Sequence, residues 1–428
     1  MESTGALEGS ESVLVVGGGI AGITAALEVA EAGAQVYLVE KEPHLGGRVA
    51  QLSRYFPKLC PPTCGLEINF QRLRDNQNVR VFTTSEVEDL RGGPGHYQAK
   101  IRRRPRYVND RCTACGACAE VCPVERPNLF DYGMSTTKTI YLGHEMAYPM
   151  RYSIDGSTCL FDECGKCVEA CPYQAIDLHM EAGTLELEVG AVIIATGWRP
   201  YDASAITNLA FQHHPDVITN VMFERMLAES GPTAGRVVRP SDGAPVGSAA
   251  FVQCAGSRDR LHLPYCSGIC CLASLKEASL MLERNPEAKA HVFYIDLRTP
   301  GTYQTFATQV LSHPQVRAVK GKVADILADP ESGQLVVVAD DMVGGTMERT
   351  TVDLVVLATG MVPNPGPEGP LGAEARSAFG FFDESISGEG LFAAGCARAP
   401  VDVATSTLDA TAAAMRALGV VRGAVVGS

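Results

Sequence analysis

Twelve of the fifteen cysteines in this 428-residue chain fall into three tight groups, and the first two constrain its fold more than any other feature. The first group reads C-T-A-C-G-A-C-A-E-V-C-P: Cys112, Cys115, Cys118 and Cys122, then Pro123. The second reads C-L-F-D-E-C-G-K-C-V-E-A-C-P: Cys159, Cys164, Cys167 and Cys171, then Pro172. Three cysteines in a short loop can ligate three corners of one four-iron cubane, while the fourth, on the helix after the loop, reaches the other cubane. In that pattern Cys112, Cys115, Cys118 and Cys171 hold one [4Fe–4S] cluster, and Cys159, Cys164, Cys167 and Cys122 hold a second. Structural zinc shares the C-x2-C spacing. Zinc sites do not usually carry a Cys-Pro after a third short spacing, however, and they rarely interlock as two sets of four. The second motif opens C-x4-C, two residues longer than its counterpart. A chain with two such clusters moves electrons one at a time.

Size and charge narrow the remaining choices. The length suffices for two or three domains, each with its own core. A formal net charge of −13 argues against a nucleic-acid binder. The one basic run, Arg102-Arg103-Arg104-Pro105-Arg106, reads as a solvated strand edge or a partner-docking patch. Residues Met1 to Ser10 are acidic and small, without the basic start of a signal peptide. No uninterrupted apolar stretch reaches the ~18 residues of a membrane span. Cysteine usage at this level in a large chain points to metal ligation in a reducing cytoplasm. His213, His214 and His262 read as surface or satisfied polar residues. No Ser-His-Asp set, paired carboxylate or zinc-protease motif offers a different chemistry.

The N-terminal region carries a second signal. An apolar strand, Ser12-Val13-Leu14-Val15-Val16, runs into Gly17-Gly18-Gly19-Ile20-Ala21-Gly22 and a helix to about Ala32. A further strand, Gln35 to Val39, ends in Glu40. In such a β-turn-α-β unit Gly17 permits the tight turn, Gly19 lets a pyrophosphate approach the backbone, and Gly22 lets the helix pack on the strand. The helix start at Ile20 and Ala21 offers free N–H groups to the diphosphate, and Glu40 would take ribose hydroxyls. A lone G-x-G-x-x-G is weak evidence, but here strand, helix and acidic residue are in register.

The residues downstream favour FAD over NAD. Lys41 leads into Leu45-Gly46-Gly47-Arg48, which resembles the second phosphate-binding loop of two-dinucleotide-binding flavoproteins. The strand Ala191 to Ile194 ends in Ala195-Thr196-Gly197, and Leu354 to Leu357 repeats it with Ala358-Thr359-Gly360. Gly390 to Ala394, then Gly395 and Cys396, resembles the last FAD-contacting strand of that class, with Cys396 where many relatives carry Asp. A helix from Asp402 to Ala413 would aim its N-terminus at the isoalloxazine edge. The expected fold is α/β: a Rossmann-like FAD domain carrying a two-cluster ferredoxin-like insert. Its parts are residues 1–105, 181–200 and 351–428. The insert occupies 106–180, and a second doubly wound domain occupies 201–350.

In that second domain the strand Gly247 to Gln253 ends in Cys254-Ala255-Gly256-Ser257-Arg258-Asp259, without phosphate-binding glycines. Cys266, Cys270 and Cys271 come next. Buried structural thiols are one reading, since free cysteine packs like a small apolar residue. A third cubane is the other. Cys254-Ala255-Gly256-Ser257-Arg258-Asp259 with Cys266-Ser267-Gly268-Ile269-Cys270-Cys271 looks like the signature of the heterodisulfide reductase A subunits. The resemblance spans nearly the whole chain and implies that these four cysteines bind a [4Fe–4S] cluster near the flavin. Without the extra terminal iron–sulfur domains of the long methanogen form, the chain resembles most the A subunits of quinone-interacting membrane-bound oxidoreductases. Tyr55 to Asn69 adds to that likeness. It implies an electron-transfer role in the cytoplasm, at the inner face of the membrane. The partners would be a second flavin and iron–sulfur subunit, a membrane quinone-interacting subunit, and adenylylsulfate reductase. Subunits of heterodisulfide-reductase-like sulfur-oxidation or flavin-bifurcating complexes are close relatives. A free-standing NAD(P)H reductase would need a second nucleotide cradle. Cys60 and Cys64, in C-P-P-T-C, read as structural thiols on a turn stiffened by two prolines. A redox pair, or accessory ligation to the third cluster, stays open.

Overall fold

A computed structural model describes residues 11–56, 58–329, 332–366, 375–384 and 390–423. The chain divides into two compact units, Met1–Ala50 with Thr63–Trp198 and Pro363–Ser428, and Gln51–Pro62 with Arg199–Val362.

The first unit is built on a five-stranded parallel sheet in the order Leu391–Ala393, Ala191–Ile194, Ser12–Val16, Gln35–Val39, Val79–Phe82. Every residue of Ser12–Val16 and Ala191–Ile194 is buried, because both faces are covered. One face packs against the helices Ile20–Glu31 and Val403–Val421, whose Ala25, Ala26, Ala410, Ala413 and Ala417 join its core. The other face meets a three-stranded antiparallel sheet of Ser85–Arg91, Tyr97–Arg103 and Gly183–Val189, through Leu14, Val16, Val87, Tyr97 and Ile101.

The ferredoxin-like insert leaves and re-enters this antiparallel sheet at one point, since Arg103 and Gly183 are register partners. The chain thus leaves and returns to adjacent positions on paired strands. The insert has two short helices, Ala117–Glu120 and Lys166–Ala170, and two small hairpins. Its core contains little beyond Val108, Ile140, Ile154, Ala175, Ile176 and the sulfurs of Cys118 and Cys122. A core this small normally needs a metal or cross-links to hold it.

The second unit repeats the plan of the first. Its parallel sheet runs Val217–Thr219, Leu354–Thr359, Ser248–Ala255, Lys289–Tyr294, Val316–Lys320, and its antiparallel sheet is Val323–Ala328, Leu335–Asp341, Thr346–Val352.

Two boundaries differ from the sequence-based expectation. Leu354–Thr359 was expected in the FAD domain but is a central strand of the second sheet, paired with both Val217–Thr219 and Ser248–Ala255. In each unit the strand after the antiparallel sheet returns beside the unit's first strand, so the repeated Ala-Thr-Gly marks one position in each of two units. Residues Gln51–Pro62 also join the second unit. There the Ser53 N–H donates to Glu224 Oε2 at 3.0 Å, Lys276 Nζ donates to the Arg54 carbonyl at 2.8 Å, and the Phe56 and Tyr303 rings meet edge to face.

Candidate flavin and iron–sulfur sites

The turn after Ser12–Val16 is shaped for close backbone approach. Gly17 has φ +109°, and a Cβ there would lie 2.3 Å from the Ala195 carbonyl oxygen. A Cβ at Gly22 would lie 1.8 Å from the Gly17 carbonyl oxygen. Helix Ile20–Glu31 thus packs on the turn's own backbone as well as on the strand. Gly19, the helix N-cap, has only Gly47 Cα within 4 Å of such a Cβ, at 3.9 Å, so one side of the helix start is unobstructed.

Glu40 turns inward. Its Oε2 accepts from the Gly18 N–H at 2.5 Å and its Oε1 from the Glu42 N–H at 2.8 Å. Burial pushes the carboxyl up to about 7, partly offset by those two hydrogen bonds. Glu40 therefore braces the glycine turn. Lys41 is exposed.

The Leu45-Gly46-Gly47-Arg48 loop lies directly on that turn. The Gly46 N–H donates to the Gly18 carbonyl at 2.9 Å, and a Cβ at Gly47 would sit 2.8 Å from Gly19 Cα. Arg48 donates through Nε to the Trp198 carbonyl at 3.2 Å and through Nη1 to the Tyr132 hydroxyl at 2.7 Å, between the two rings. Ala195 is buried, and its N–H donates to the Val16 carbonyl. The Thr196 and Gly197 carbonyls accept from the Asn364 side chain and N–H at 2.8 and 3.0 Å. Gly395, at φ +60°, donates its N–H to Asp409 Oδ2 at 2.8 Å. The Cys396 thiol is buried and donates to the Val401 carbonyl at 3.3 Å. The following helix, Val403–Val421, is capped by Asp402, whose Oδ1 accepts from the Thr405 N–H.

Gly360, expected beside these residues, lies in the second unit. A Cβ there would meet Ser257 Oγ at 2.1 Å and Ser267 Oγ at 2.5 Å, so it packs against the third cysteine loop.

Eight cysteines of the insert line two cavities. Cys112, Cys115, Cys118 and Cys171 surround one of about 300 Å³, walled also by Tyr152, Ala175 and Ile176. Cys122, Cys159, Cys164 and Cys167 surround another of about 360 Å³, walled also by Ile140, Ile154 and Leu178. Both volumes include open solvent. Each ring thus takes its fourth cysteine from the other motif. Cys122 and Cys171 sit just past the ends of their short helices. The two extra residues of C-x4-C are taken up by a 3-10 turn, Phe161–Glu163, which leaves Cys159 on the cavity wall.

Burial pushes the Cys118 thiol up to about 12 and Cys167 to about 11, with neighbouring cysteines adding to both. Thiols in such surroundings ionise only when a cation holds them. Backbone N–H groups of Ala114, Phe161 and Ala175 point at the sulfurs of Cys112, Cys159 and Cys171 at 3.3–3.4 Å. Among the described residues no three Cys, His, Asp or Glu side chains converge as they would on one ion; a cubane spreads its sulfurs over four corners.

In the second unit, Cys254 is the last residue but one of the Ser248–Ala255 strand, at φ +56°, and Cys270 and Cys271 open the helix Cys270–Arg284. Burial, with Cys271 and Cys266 nearby, pushes Cys254 up to about 11, and burial raises Cys270 and Cys271 too. The Gly268 N–H points at Cys266 Sγ at 3.4 Å, the same i to i+2 contact seen at Cys112 and Cys159. Arg258 lies beside Cys254 and pairs with Asp296 at 2.9 Å. Cys60 is partly buried, and its carbonyl accepts from the Tyr55 N–H. Cys64 is exposed in the first turn of Pro62–Asp75.

Several residues around these sites carry no motif. Arg106, the end of the basic run, is buried: it donates to the carbonyls of Pro43 (2.5 Å), Tyr152 (2.9 Å) and Arg151 (3.0 Å). Lys276 and Glu224 form a buried ion pair beside Glu277, whose carboxyl burial and the Glu224 charge push well above the usual range. A lysine and two glutamates on otherwise apolar helix faces were the only sequence signal for that group.

Comparison with known proteins agrees with this geometry. Residues 12–76 match a family described as FAD dependent oxidoreductase, and residues 105–125 and 157–174 match 4Fe-4S binding domains. The iron-sulfur A subunit of the CoB–CoM heterodisulfide reductase of Methanocaldococcus jannaschii is 38% identical over 425 residues, covering 95% of this chain and 64% of that protein. The A subunit of the H(2):CoB-CoM heterodisulfide,ferredoxin reductase of Methanothermobacter marburgensis is 36% identical over 421 residues, covering 95% and 63%. The A subunit of the Ferredoxin/F(420)H(2)-dependent CoB-CoM heterodisulfide reductase of Methanosarcina acetivorans is 38% identical over 426 residues, covering 96% and 53%. The chain therefore spans between half and two-thirds of these relatives. Among solved structures, the thioredoxin reductases of T. acidophilum (TM-score 0.52, 96% of this chain and 98% of that one) and Lactococcus lactis (TM-score 0.53, 96% and 99%) are each 12% identical and share the fold. Across 95% of its residues the chain is similar to the heterodisulfide reductase A subunits, and within that span one segment matches an FAD dependent oxidoreductase family and two match 4Fe-4S binding domains.

Proposed function

We propose that this chain is the FAD and iron–sulfur electron-transfer subunit of a multisubunit oxidoreductase. The observation that carries the reading is the pair of cavities, each ringed by four cysteines drawn from both motifs. When bound, FAD accepts two electrons and releases them singly, and each cubane carries one. The residues of the chain bind, insulate and tune. Gly17, Gly19, Ile20, Ala21 and Gly22 present backbone to the diphosphate. Lys41, Gly47 and Arg48 line the second phosphate loop, and Ala195, Thr196, Gly197, Gly395 and Cys396 close the far side. N–H groups aimed at the ligand sulfurs favour the reduced clusters.

Cys254, Cys266, Cys270 and Cys271 hold a third [4Fe–4S] cluster in this reading. It is supported by four thiols gathered around one loop, three of them pushed up by burial and by neighbouring cysteines, with two of them at the positive end of a 15-residue helix. The partners are a second flavin and iron–sulfur subunit, plus a membrane quinone-interacting subunit, with a cytoplasmic sulfur-metabolism reductase such as adenylylsulfate reductase at the other end. No helix among the described residues is long and apolar enough to cross a membrane; in this reading membrane contact comes through the quinone-interacting partner. The identity to the methanogen A subunits supports a second reading, membership of a heterodisulfide-reductase-like sulfur-oxidation or flavin-bifurcating complex.

The test is iron, acid-labile sulfide and flavin content of anaerobically purified protein, with electron paramagnetic resonance of the reduced sample. Three sets of four cysteines predict about twelve iron per FAD. About eight would leave the third group as thiols.

A further inference from the structure

The Pro43–Arg48 loop of the flavin fold is held from the insert side at almost every residue. The Pro43 carbonyl accepts from Arg106, which also bonds the carbonyl of Tyr152, a wall residue of the first cluster cavity. His44 packs edge-on against His144, with ring centroids 4.7 Å apart, and against Phe130. A Cβ at Gly143 would lie 1.9 Å from the His44 ring, so the backbone there lies directly against that ring. The Leu45 N–H donates to the Tyr148 carbonyl at 2.8 Å, and its carbonyl is 3.2 Å from His144 Nε2. Gly46 and Gly47 rest on the glycine turn, and Arg48 meets the Tyr132 hydroxyl.

Tyr132 is itself locked. It comes just after a 3-10 turn, Leu129–Asp131, in which Asn128 caps the Phe130 N–H and donates to Asp131, while Ser135 donates to the same carboxylate at 2.5 Å. Asp131 is buried. The hydroxyl that meets Arg48 is therefore pre-positioned by the insert's own hydrogen bonds.

We propose that the iron–sulfur insert completes the flavin site, with Tyr132 as the positioning residue that aims Arg48 at the cofactor's phosphates. The inference rests on the reading that the Leu45–Arg48 loop binds those phosphates. It goes further in making flavin retention depend on the insert, and by linkage the insert's order depend on flavin.

The experiment tracks FAD release from holoprotein by the rise in flavin fluorescence, for Tyr132→Phe, Arg48→Lys and the double variant, with iron measured on each. Tyr132→Phe keeps the ring and removes one hydrogen bond to a charged group, so it releases FAD about tenfold faster with its iron content unchanged. If Tyr132 works through Arg48, the double variant releases FAD no faster than Arg48→Lys alone. Wild-type release from Tyr132→Phe, or additive effects in the double variant, overturns the proposal. Unmutated protein without flavin overturns the cofactor reading and this inference together, whereas flavin that is present but indifferent to Tyr132 overturns only the latter.

Discussion

The two units share one plan, and apart from the first unit's iron–sulfur insert and C-terminal helix the telling difference lies in the loop after the central strand. In both, a buried central strand leads to a helix, a second parallel strand comes next, and an acidic residue after it reaches back to the loop after the first strand. In the first unit that loop is the short Gly17–Gly19 turn, and Glu40 grips its backbone. In the second, the loop runs from Gly256 to Ile269, is bracketed by Cys254, Cys270 and Cys271, and Asp296 grips Arg258. The sheets share a strand order in which the loop after the central strand is what differs, and in the proposed reading that loop selects the ligand: backbone N–H groups for an anion, thiols for a metal. Function resides in the graft on the fold.

The sharpest way to break this contrast is Cys270→Ser. If the second loop is a cluster site, iron falls from about twelve to about eight per chain while FAD and the insert's clusters persist. Unchanged iron content would return this loop to buried thiols.

Gly22→Ala tests the opposite loop. With a Cβ 1.8 Å from the Gly17 carbonyl oxygen, the helix must shift off the turn. We expect a loss of about 3 kcal/mol in denaturant unfolding together with lost flavin. A fully stable, flavin-loaded variant would show that the turn tolerates a side chain and that close packing there is unimportant.

The two acids provide the finest comparison. Glu40 has a folded pKa raised from 4.5 to about 7. Its contribution is therefore complete below about pH 4.5 and is lost as pH rises through about 7, by up to about 3 kcal/mol. Thermal unfolding of flavin-free protein between pH 4.5 and 7.5 should show that decline, and Glu40→Gln should flatten it. Asp296 is half exposed, and its pair with Arg258 is worth at most about 1 kcal/mol. Asp296→Asn should leave stability within that margin and iron content intact. A steep Asp296→Asn loss would mean that the acid matters equally in both units.

Much of this was legible in the order of residues. The cysteine motifs, the glycine turn and the Asp402-capped helix are local, and each comes from spacing over at most a dozen or so positions. The exchange of Cys122 and Cys171 between cavities was legible as well, because in the ferredoxin-type motif the fourth cysteine serves the other cluster. The unit boundary was not. Leu354–Thr359 and Ala191–Ile194 carry the same Ala-Thr-Gly ending, and nothing in either string says which sheet it joins; hydrogen-bond pairing with Ser248–Ala255 does. Glu40 was expected to take ribose hydroxyls, and nothing in the string says that its carboxylate also accepts from the Gly18 and Glu42 N–H groups. Arg106 reads as one more surface arginine in a basic run until three carbonyls are found around it.

Chemistry in this protein is therefore a property of short strings. Thiols at fixed spacing and glycines at a strand end carry their meaning wherever the chain places them, because sulfur donors and bare backbone act over a few ångströms. Placement is a property of the folded whole. That the insert's Tyr132 reaches Arg48 across 84 positions, or that Gly360 packs under the third cysteine loop, depends on which apolar strands share a sheet. Burial is non-directional and many strand pairings satisfy it about equally, so only the assembled fold chooses among them.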